Sequence, residues 1–149
     1  MSEHGNSPAD LGEPIEHGEW AGWAKWTGAE PFEDLIGPFY TKRNDNGALM
    51  CGARVQSKNL RSGGICHGGL LMSFADYSLF LLAYDEIGNQ NGVTVSLTTE
   101  FLAAAPANSL LIATGDVLRK GRNLMFSRGV VTADNTPVLA FTGVVKLLS

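Results

Sequence analysis

The chain has few cysteines and no concentration of positive charge, and both shortages narrow its possible functions. Cys51 and Cys66 are the only cysteines among 149 residues, too few for a disulfide framework. No pair of cysteines or histidines has metal-ligand spacing, so we expect reduced thiols and no metal. The eleven Lys and Arg residues are scattered, and the net charge is −4. Because a duplex-binding protein needs a basic face, we expect no nucleic-acid partner.

Long apolar runs are also missing. No apolar stretch reaches the length needed to span a bilayer, so we expect no membrane partner. Residues 1–20 have neither the positive start nor the apolar segment of a secretion signal, which favours a cytoplasmic protein. With 44% apolar residues, a chain of this length can bury the core of one domain without disulfides or metals.

The amino-terminal region differs in composition from the rest of the chain. Residues 1–18 are rich in Gly, Pro, Ser and acidic residues, which is typical of a flexible tail. We therefore expect the folded domain to occupy residues 19–149. Trp20, Trp23 and Trp26 then recur at every third position. This spacing predicts a short helix that caps the core, and a lid over a ligand tunnel is the alternative.

Turn residues divide much of the remaining chain into short elements. A short helix is predicted over residues 31–37, followed by a hairpin with strands at 39–42 and 48–56. Four later stretches predict an antiparallel meander: 93–102, 109–118, 124–132 and 138–148. In the first of these strands, alternation places Val93, Val95 and Leu97 on one face and Thr94, Ser96 and Thr98 on the other.

The longest apolar stretch, residues 67–87, predicts a central helix around which the rest of the chain folds. It leaves no polar face of useful width, so such a helix would be covered on nearly every side. Asp76 lies in its middle and needs a partner, a water-filled cleft or a catalytic task. Gly68 and Gly69 would let a ligand approach the unpaired amides of its first turn. A helix over one antiparallel sheet is an α+β architecture.

These features together resemble the hot-dog fold acyl-coenzyme A thioesterases. They are a short hairpin, a glycine-containing loop ending in His67-Gly68-Gly69, an acid nine residues after the histidine, and the strands that follow. The nearest type is that of phenylacetate degradation (PaaI-like), which is related to the 4-hydroxybenzoyl-coenzyme A thioesterases. Over residues 38–148 the resemblance implies an antiparallel sheet wrapped around a long helix, an acyl-coenzyme A (acyl-CoA) substrate and no cofactor. It also implies a homo-oligomer, either a dimer or a dimer of dimers, with the thioester bound between subunits.

The resemblance also implies roles for individual residues. The Gly68 amide would polarise the thioester carbonyl, and Asp76 would be the catalytic carboxylate. Thr94 would lie near the attacking water, and His67 would order the loop. Members of this type usually have Asn or Gln six residues before the histidine, where this chain has Arg61. Asn59 could reach the site only if the loop that follows it bulges.

The chemistry of the residues indicates the same reaction. Thioester hydrolysis needs a donor where negative charge grows on the carbonyl oxygen, and a helix N-terminus supplies an amide there. It also needs a base or a nucleophile, which Asp76 can provide. Eight residues of helix separate Gly68 from Asp76, a rise of about 12 Å, so the two cannot touch one carbonyl carbon. If both act, the carboxylate must come from a two-fold related chain whose helix runs antiparallel.

Other polar residues have a structural and a functional interpretation. Ser73 shares the face of Asp76 and could contact substrate or hydrogen-bond its own helix. Arg119, Lys120 and Arg122 flank a turn, where they could be solvated or bind the phosphates of CoA. Three further alternatives remain: a non-catalytic acyl-ligand-binding module, an acyl-carrier-protein thioesterase and a dehydratase. Whether Asp76 attacks the carbonyl or activates water is left open by the sequence.

Overall fold

The apolar and alternating stretches of the sequence form a helix and a sheet in the computed structural model, which describes residues 11–88 and 90–148. The strands are β1 (Glu13–Pro14), β2 (Ala24–Lys25), β3 (Tyr40–Arg43), β4 (Leu49–Arg54), β5 (Asn91–Phe101), β6 (Leu110–Lys120), β7 (Leu124–Ala133) and β8 (Thr136–Leu148). The helices are α1 (Pro31–Ile36), α2 (Gly68–Leu81) and α3 (Tyr84–Ile87), and a 3-10 turn covers Ser57–Asn59. The strands form one antiparallel sheet in the order β1-β2-β3-β4-β6-β7-β8-β5.

Helix α2 lies at the centre of the core because it is apolar on nearly every side. It packs against strands β4 to β8. Its buried apolar side chains are Leu70, Leu71, Phe74, Ala75, Tyr77, Leu79 and Leu81. Phe74 is fully buried, which stabilises the fold by about 2–3 kcal/mol relative to an exposed ring. Among the described residues, no helix is both long and apolar enough to cross a membrane.

The predicted continuous helix over residues 67–87 is wrong at its carboxyl end. Helix α2 stops at Leu81, and Ala83 leaves helical geometry before α3 begins at Tyr84. The break is stabilised by tertiary contacts of α3. Arg43 on β3 donates two hydrogen bonds, of 2.8 and 2.7 Å, to the carboxylate of Asp85. Contacts between residues so far apart in the chain cannot be predicted from the pattern of apolar residues.

The predicted meander is correct for three of its four strands. Strands β6, β7 and β8 follow one another in the sheet, whereas β5 pairs with β8 rather than with β6. The connection after β5 instead passes the start of α2, where the Cys66 amide donates to the carbonyl oxygen of Ala105 at 2.9 Å. Alternation identifies a strand, but its neighbour in the sheet depends on where such a connection crosses the helix.

The amino-terminal predictions need two corrections. Residues 1–10 lie outside the described part of the chain, but residues 11–18 are not a loose tail. Leu11 is fully buried, and β1 pairs with β2. The tryptophans do not form a helix, because they belong to this small hairpin. Trp20 stacks on Tyr40 with ring centroids 4.4 Å apart, and Trp23 packs edge-on against Trp20.

Candidate active site

The start of α2 is organised by His67, which is the N-cap of the helix. Its Nδ1 accepts a hydrogen bond from the Gly69 amide at 2.8 Å, and its own amide donates to the carbonyl oxygen of Asn59 at 2.8 Å. Because the Gly69 amide is occupied, that residue does not offer a free donor to a ligand as expected. Among the described residues, no acceptor receives the Gly68 amide. The first turn therefore has an open donor at Gly68, at the positive end of the helix dipole.

The loop before His67 bulges in the way that the spacing of Asn59 required. Leu60 pairs with Cys66 across the bulge, and the Arg61 amide donates to the Ile65 carbonyl oxygen at 2.9 Å. Gly63 and Gly64 have φ values of 96° and 81°, a region that favours glycine. This pairing places Arg61 within the bulge. It also brings the backbone of Asn59 next to His67.

The side chain of Asn59 points away from the Gly68 amide. It is only 6% exposed, and its Nδ2 donates to the carbonyl oxygen of Ile36 at 2.8 Å. Its Oδ1 accepts from the Gln56 amide at 2.9 Å. Asn59 thus joins the end of α1 to the loop that carries Gly68. Arg61 is exposed, and among the described residues its guanidinium donates only to the carbonyl oxygen of Ser62 in the same loop.

We expect substitutions at Asn59 and Arg61 to have different effects. Asn59→Ala should lower the free energy of unfolding by about 1–3 kcal/mol, because the Ile36 carbonyl and the Gln56 amide lose their partner. Turnover should fall about tenfold as the loop loosens.

Arg61→Ala should raise KM severalfold with little change in kcat, and Arg61→Lys should retain a low KM because it keeps the charge. Chemical denaturation and steady-state kinetics measure these effects, and the reverse pattern would show that Arg61, rather than Asn59, supports the catalytic step.

At mid-helix, the structure brings Asp76 and Thr94 together. The Thr94 hydroxyl donates a hydrogen bond of 2.6 Å to Asp76 Oδ1. This contact holds the carboxylate in one orientation and leaves its second oxygen, Oδ2, without a hydrogen bond among the described residues. The pair joins α2 to the start of β5.

A β-bulge explains why Thr94 faces the helix. The register of β5 against β8 shifts between Thr94 and Ser96, so Val95 is the extra residue. Thr94 pairs with the buried Val145, and Leu97 pairs with Gly143, where an added Cβ would meet Leu79 of α2. Thr94 and Leu97 therefore share the face toward α2. The strict alternation predicted for residues 93–98 is wrong, because the bulge inverts it after Thr94.

Removing the Thr94 hydroxyl should slow turnover without disturbing the fold. Thr94→Val keeps the shape of the side chain but loses the donor to Asp76, so kcat should fall about tenfold to a hundredfold with KM nearly unchanged. Thr94→Ser keeps a hydroxyl and should stay near the wild-type rate. Equal rates for the Val and Ser variants, measured at saturating substrate, would show that Thr94 is an ordinary strand residue.

A cavity of about 570 Å³ opens beside Asp76, and we call it the acidic cavity. It is lined by Trp26, Glu30, Glu33, Asp76, Tyr77, Phe80, Leu81, Tyr84, Ile87, Gly88, Gln90, Asn91, Gly92, Val93 and Thr94. The presence of Trp26 gives partial support to the lid alternative for the tryptophans, although only this one lines the cavity. The cavity provides room for an organic group next to the Asp76 carboxylate.

Glu33 is a residue of this cavity that sequence reasoning missed. The pKa of Glu33 is raised to about 7, first by burial and then by the negative charges of Glu30, Asp76 and Asp34, and Lys25 partly opposes this rise. In the sequence, Glu33 is one acid of a short exposed helix. No local signal marks it, because its position beside Asp76 arises only when α1 packs near the middle of α2.

A second cavity, of about 280 Å³, lies at the other end of the helix, and we call it the glycine cavity. Its lining residues are Arg61, Ile65, Cys66, Gly68, Leu71, Phe101, Leu102, Ala103, Ala104 and Ala105. Phe101 comes so close that a Cβ added to Gly68 would lie 3.1 Å from its ring. Gly68 and Asp76 thus belong to separate cavities, eight residues apart on α2.

Residues 63–140 match the model of the Thioesterase superfamily, which is more than half of the chain. The chain belongs to this superfamily. It is therefore a thioester hydrolase, and its sheet wrapped around α2 is the hot-dog fold that the resemblance implied. The predicted α+β class is confirmed.

Similar proteins span most of this thioesterase. An inferred esterase of Pseudomonas aeruginosa is 29% identical over 120 residues, which cover 80% of this chain and 90% of that protein. Acyl-coenzyme A thioesterase 13 of Homo sapiens is 27% identical over 118 residues, covering 78% and 84%. A mutant structure of the phenylacetic acid degradation protein PaaI of Thermus thermophilus is 26% identical, with a TM-score of 0.67, and covers 80% of this chain and 100% of that one.

The remaining predicted substrate residues of the thioesterase lie outside the acidic and glycine cavities. Ser73 donates a hydrogen bond of 2.8 Å to the Gly69 carbonyl oxygen, so it is satisfied within its own helix. Arg119, Lys120 and Arg122 are at or beside the hairpin between β6 and β7, are exposed, and line neither cavity. Within one chain, they are therefore not brought to Asp76 or to Gly68.

Proposed function

We propose that this thioesterase hydrolyses acyl-CoA to a free carboxylic acid and CoA, at a site built by two copies of the chain. The observation that carries the proposal is that one helix holds an open amide at Gly68 and a fixed carboxylate at Asp76, each facing its own cavity. In each site the Gly68 amide of one copy polarises the carbonyl, and Asp76 of the other acts as base or nucleophile. The name of the human relative supports CoA as the thiol.

The edge strand β5 supports a way of combining the two halves. Val93, Val95 and Phe101 on this strand are 49%, 58% and 54% exposed. Within the described chain, β5 pairs on one side only, with β8, so its other edge is open to a partner.

The direction of β5 also suits a symmetric dimer. Its start contacts Asp76 through Thr94, and its end lies against Gly68 through Phe101, so β5 runs antiparallel to α2. A two-fold axis through the middle of β5 would pair the strand with β5 of the second copy. The same axis brings the Asp76 end of one helix toward the Gly68 end of the other. We therefore propose a homodimer as the smallest active unit.

Charge supports an orientation for the substrate. CoA carries phosphates, which the carboxylates of the acidic cavity repel and Arg61 at the glycine cavity attracts. The acyl group therefore occupies the acidic cavity, among Trp26, Phe80 and Tyr84. The CoA part of the substrate extends past Arg61. Contact between CoA and the exposed cations at the β6–β7 hairpin would require a partner chain to bring them near.

Release of free thiol from a panel of acyl-CoA thioesters tests the proposed function. We expect turnover of at least one aliphatic or aromatic member, followed with a thiol-reactive dye, and a molar mass of a dimer or larger at the assay concentration. Binding of acyl-CoA without thiol release would support a non-catalytic acyl-ligand-binding module. Release from acyl-carrier-protein thioesters alone would identify a different donor of the acyl group.

A further inference from the structure

The acidic cavity has a polar wall that the proposed reaction does not use. Glu33 projects into it from α1, together with Glu30 at the start of the same helix. The neighbouring Asp34 is engaged elsewhere, because it forms a 2.9 Å ion pair with Lys25. The side-chain carboxyl group of Glu33 has no hydrogen-bond partner among the described residues. A partly buried carboxyl group without a donor is therefore available to a molecule inside the cavity.

The charged side chains that line this cavity all have one sign. Its charged lining residues are Glu30, Glu33 and Asp76, whereas the rest of the wall is largely apolar or aromatic. A neutral acyl group gains from contact with such a wall. An acyl group that ends in its own carboxylate would meet negative charge in a space where screening by water is reduced.

We propose that Glu33 is a specificity-determining residue, which excludes acyl groups ending in a carboxylate and leaves neutral acyl groups as substrates. The inference rests on the proposed function, since it requires the acyl group to occupy the cavity beside Asp76. Two carboxylates about 5 Å apart at an effective dielectric constant of about 20 repel each other enough to change a rate constant by about a hundredfold. We expect discrimination of about tenfold to a hundredfold. The effect can fall below its full size because the acyl chain can bend away from Glu33.

The exclusion should depend on pH in a direction that the structure defines. Glu33 faces the acids Glu30 and Asp34 of its own helix, Asp76 of α2 and the cation Lys25 of β2, and its pKa is raised to about 7 by burial first and these acids second. Below this pH the Glu33 carboxyl is neutral and repels little. Above it the group is ionised, so discrimination against a terminal carboxylate should rise as the pH passes through about 7. The terminal carboxylate itself stays ionised over this range.

Pairs of substrates with equal chain length separate this effect from catalysis. We would measure kcat/KM for hexanoyl-CoA and adipoyl-CoA, and for butyryl-CoA and succinyl-CoA, from about pH 6 to about pH 8.5. The ratio within a pair cancels any effect of pH on the catalytic step, because both thioesters use the same catalytic groups. The proteins are wild type, Glu33→Gln and the control Glu86→Gln. Glu86 is an exposed acid of α3 that lines neither cavity.

The wild type should prefer the neutral thioester increasingly as the pH rises, and so should Glu86→Gln. Glu33→Gln should still turn over the neutral thioester but lose about tenfold or more of the preference for it, with a ratio that no longer varies with pH. If the ratio of kcat/KM within a pair does not vary with pH in the wild type, the inference is overturned while the proposed function stands. This measurement needs no variant. An unchanged ratio in an active Glu33→Gln would also overturn the inference. No thiol release from any thioester would overturn the proposed function and this inference together.

Discussion

Asp76→Asn should abolish thioester hydrolysis and leave the protein folded. The amide has nearly the shape of the carboxylate, and its Oδ1 can still accept the hydrogen bond from Thr94. It cannot accept a proton from water or attack a carbonyl carbon, so either role of Asp76 is lost. We expect kcat to fall at least about a thousandfold, with acyl-CoA binding retained. Thiol release at saturating substrate and an equilibrium binding titration measure the two quantities.

A matched control is available on strand β6 of the sheet. Asp116 on β6 is an exposed carboxylate that lies 3.4 Å from Arg128 and lines neither the acidic cavity nor the glycine cavity. Asp116→Asn makes the same chemical change and should keep the wild-type rate. Thermal unfolding of both variants should show that each is folded. Near wild-type turnover by a folded Asp76→Asn would instead show that Asp76 is not the catalytic carboxylate.

Two inactive variants should restore activity when they form mixed dimers. One chain carries Asp76→Asn, and the other carries Gly68→Val, which fills the position of the carbonyl oxygen at the open amide. In a mixed dimer, one site combines the intact Gly68 of the first chain with the intact Asp76 of the second, and the other site has both defects. With random pairing of equal amounts, half of the dimers carry one good site of two. Co-refolding should therefore recover about a quarter of wild-type activity per chain.

The experiment needs proof that mixed dimers form. Different affinity tags on the two variants allow tandem purification of the mixed species, in which about half of wild-type activity is expected. Co-refolding Asp76→Asn with a differently tagged copy of itself is the control and should remain inactive. A Cβ at Gly68 would press on the ring of Phe101, so the fold of Gly68→Val is checked by its melting temperature. Inactive mixed dimers would mean that Gly68 and Asp76 serve the same chain, or that one of them is not catalytic.

Much of this thioesterase could be predicted from local patterns in its sequence. The apolar stretch after His67-Gly68-Gly69 predicted the central helix, because a segment without a polar face is stable only when it is covered. The same stretch placed Asp76 about 12 Å along the helix from Gly68, and helical rise alone led to the expectation of a second copy. The start of a helix and the position of a strand depend on residues that are neighbours in the sequence. Both can therefore be predicted from a single sequence.

Tertiary structure alone decided how these elements meet. The pairing of β5 with β8, the bulge that turns Thr94 toward Asp76 and the position of Glu33 beside Asp76 all depend on contacts between distant residues. The period of three in the tryptophans predicted a helix, yet burial in a hairpin overrode it. The sequence determined which groups are present and where the helix holds them. The packing of sheet and helices decided which of these groups share a cavity, because the free energy of those contacts exists only in the folded chain.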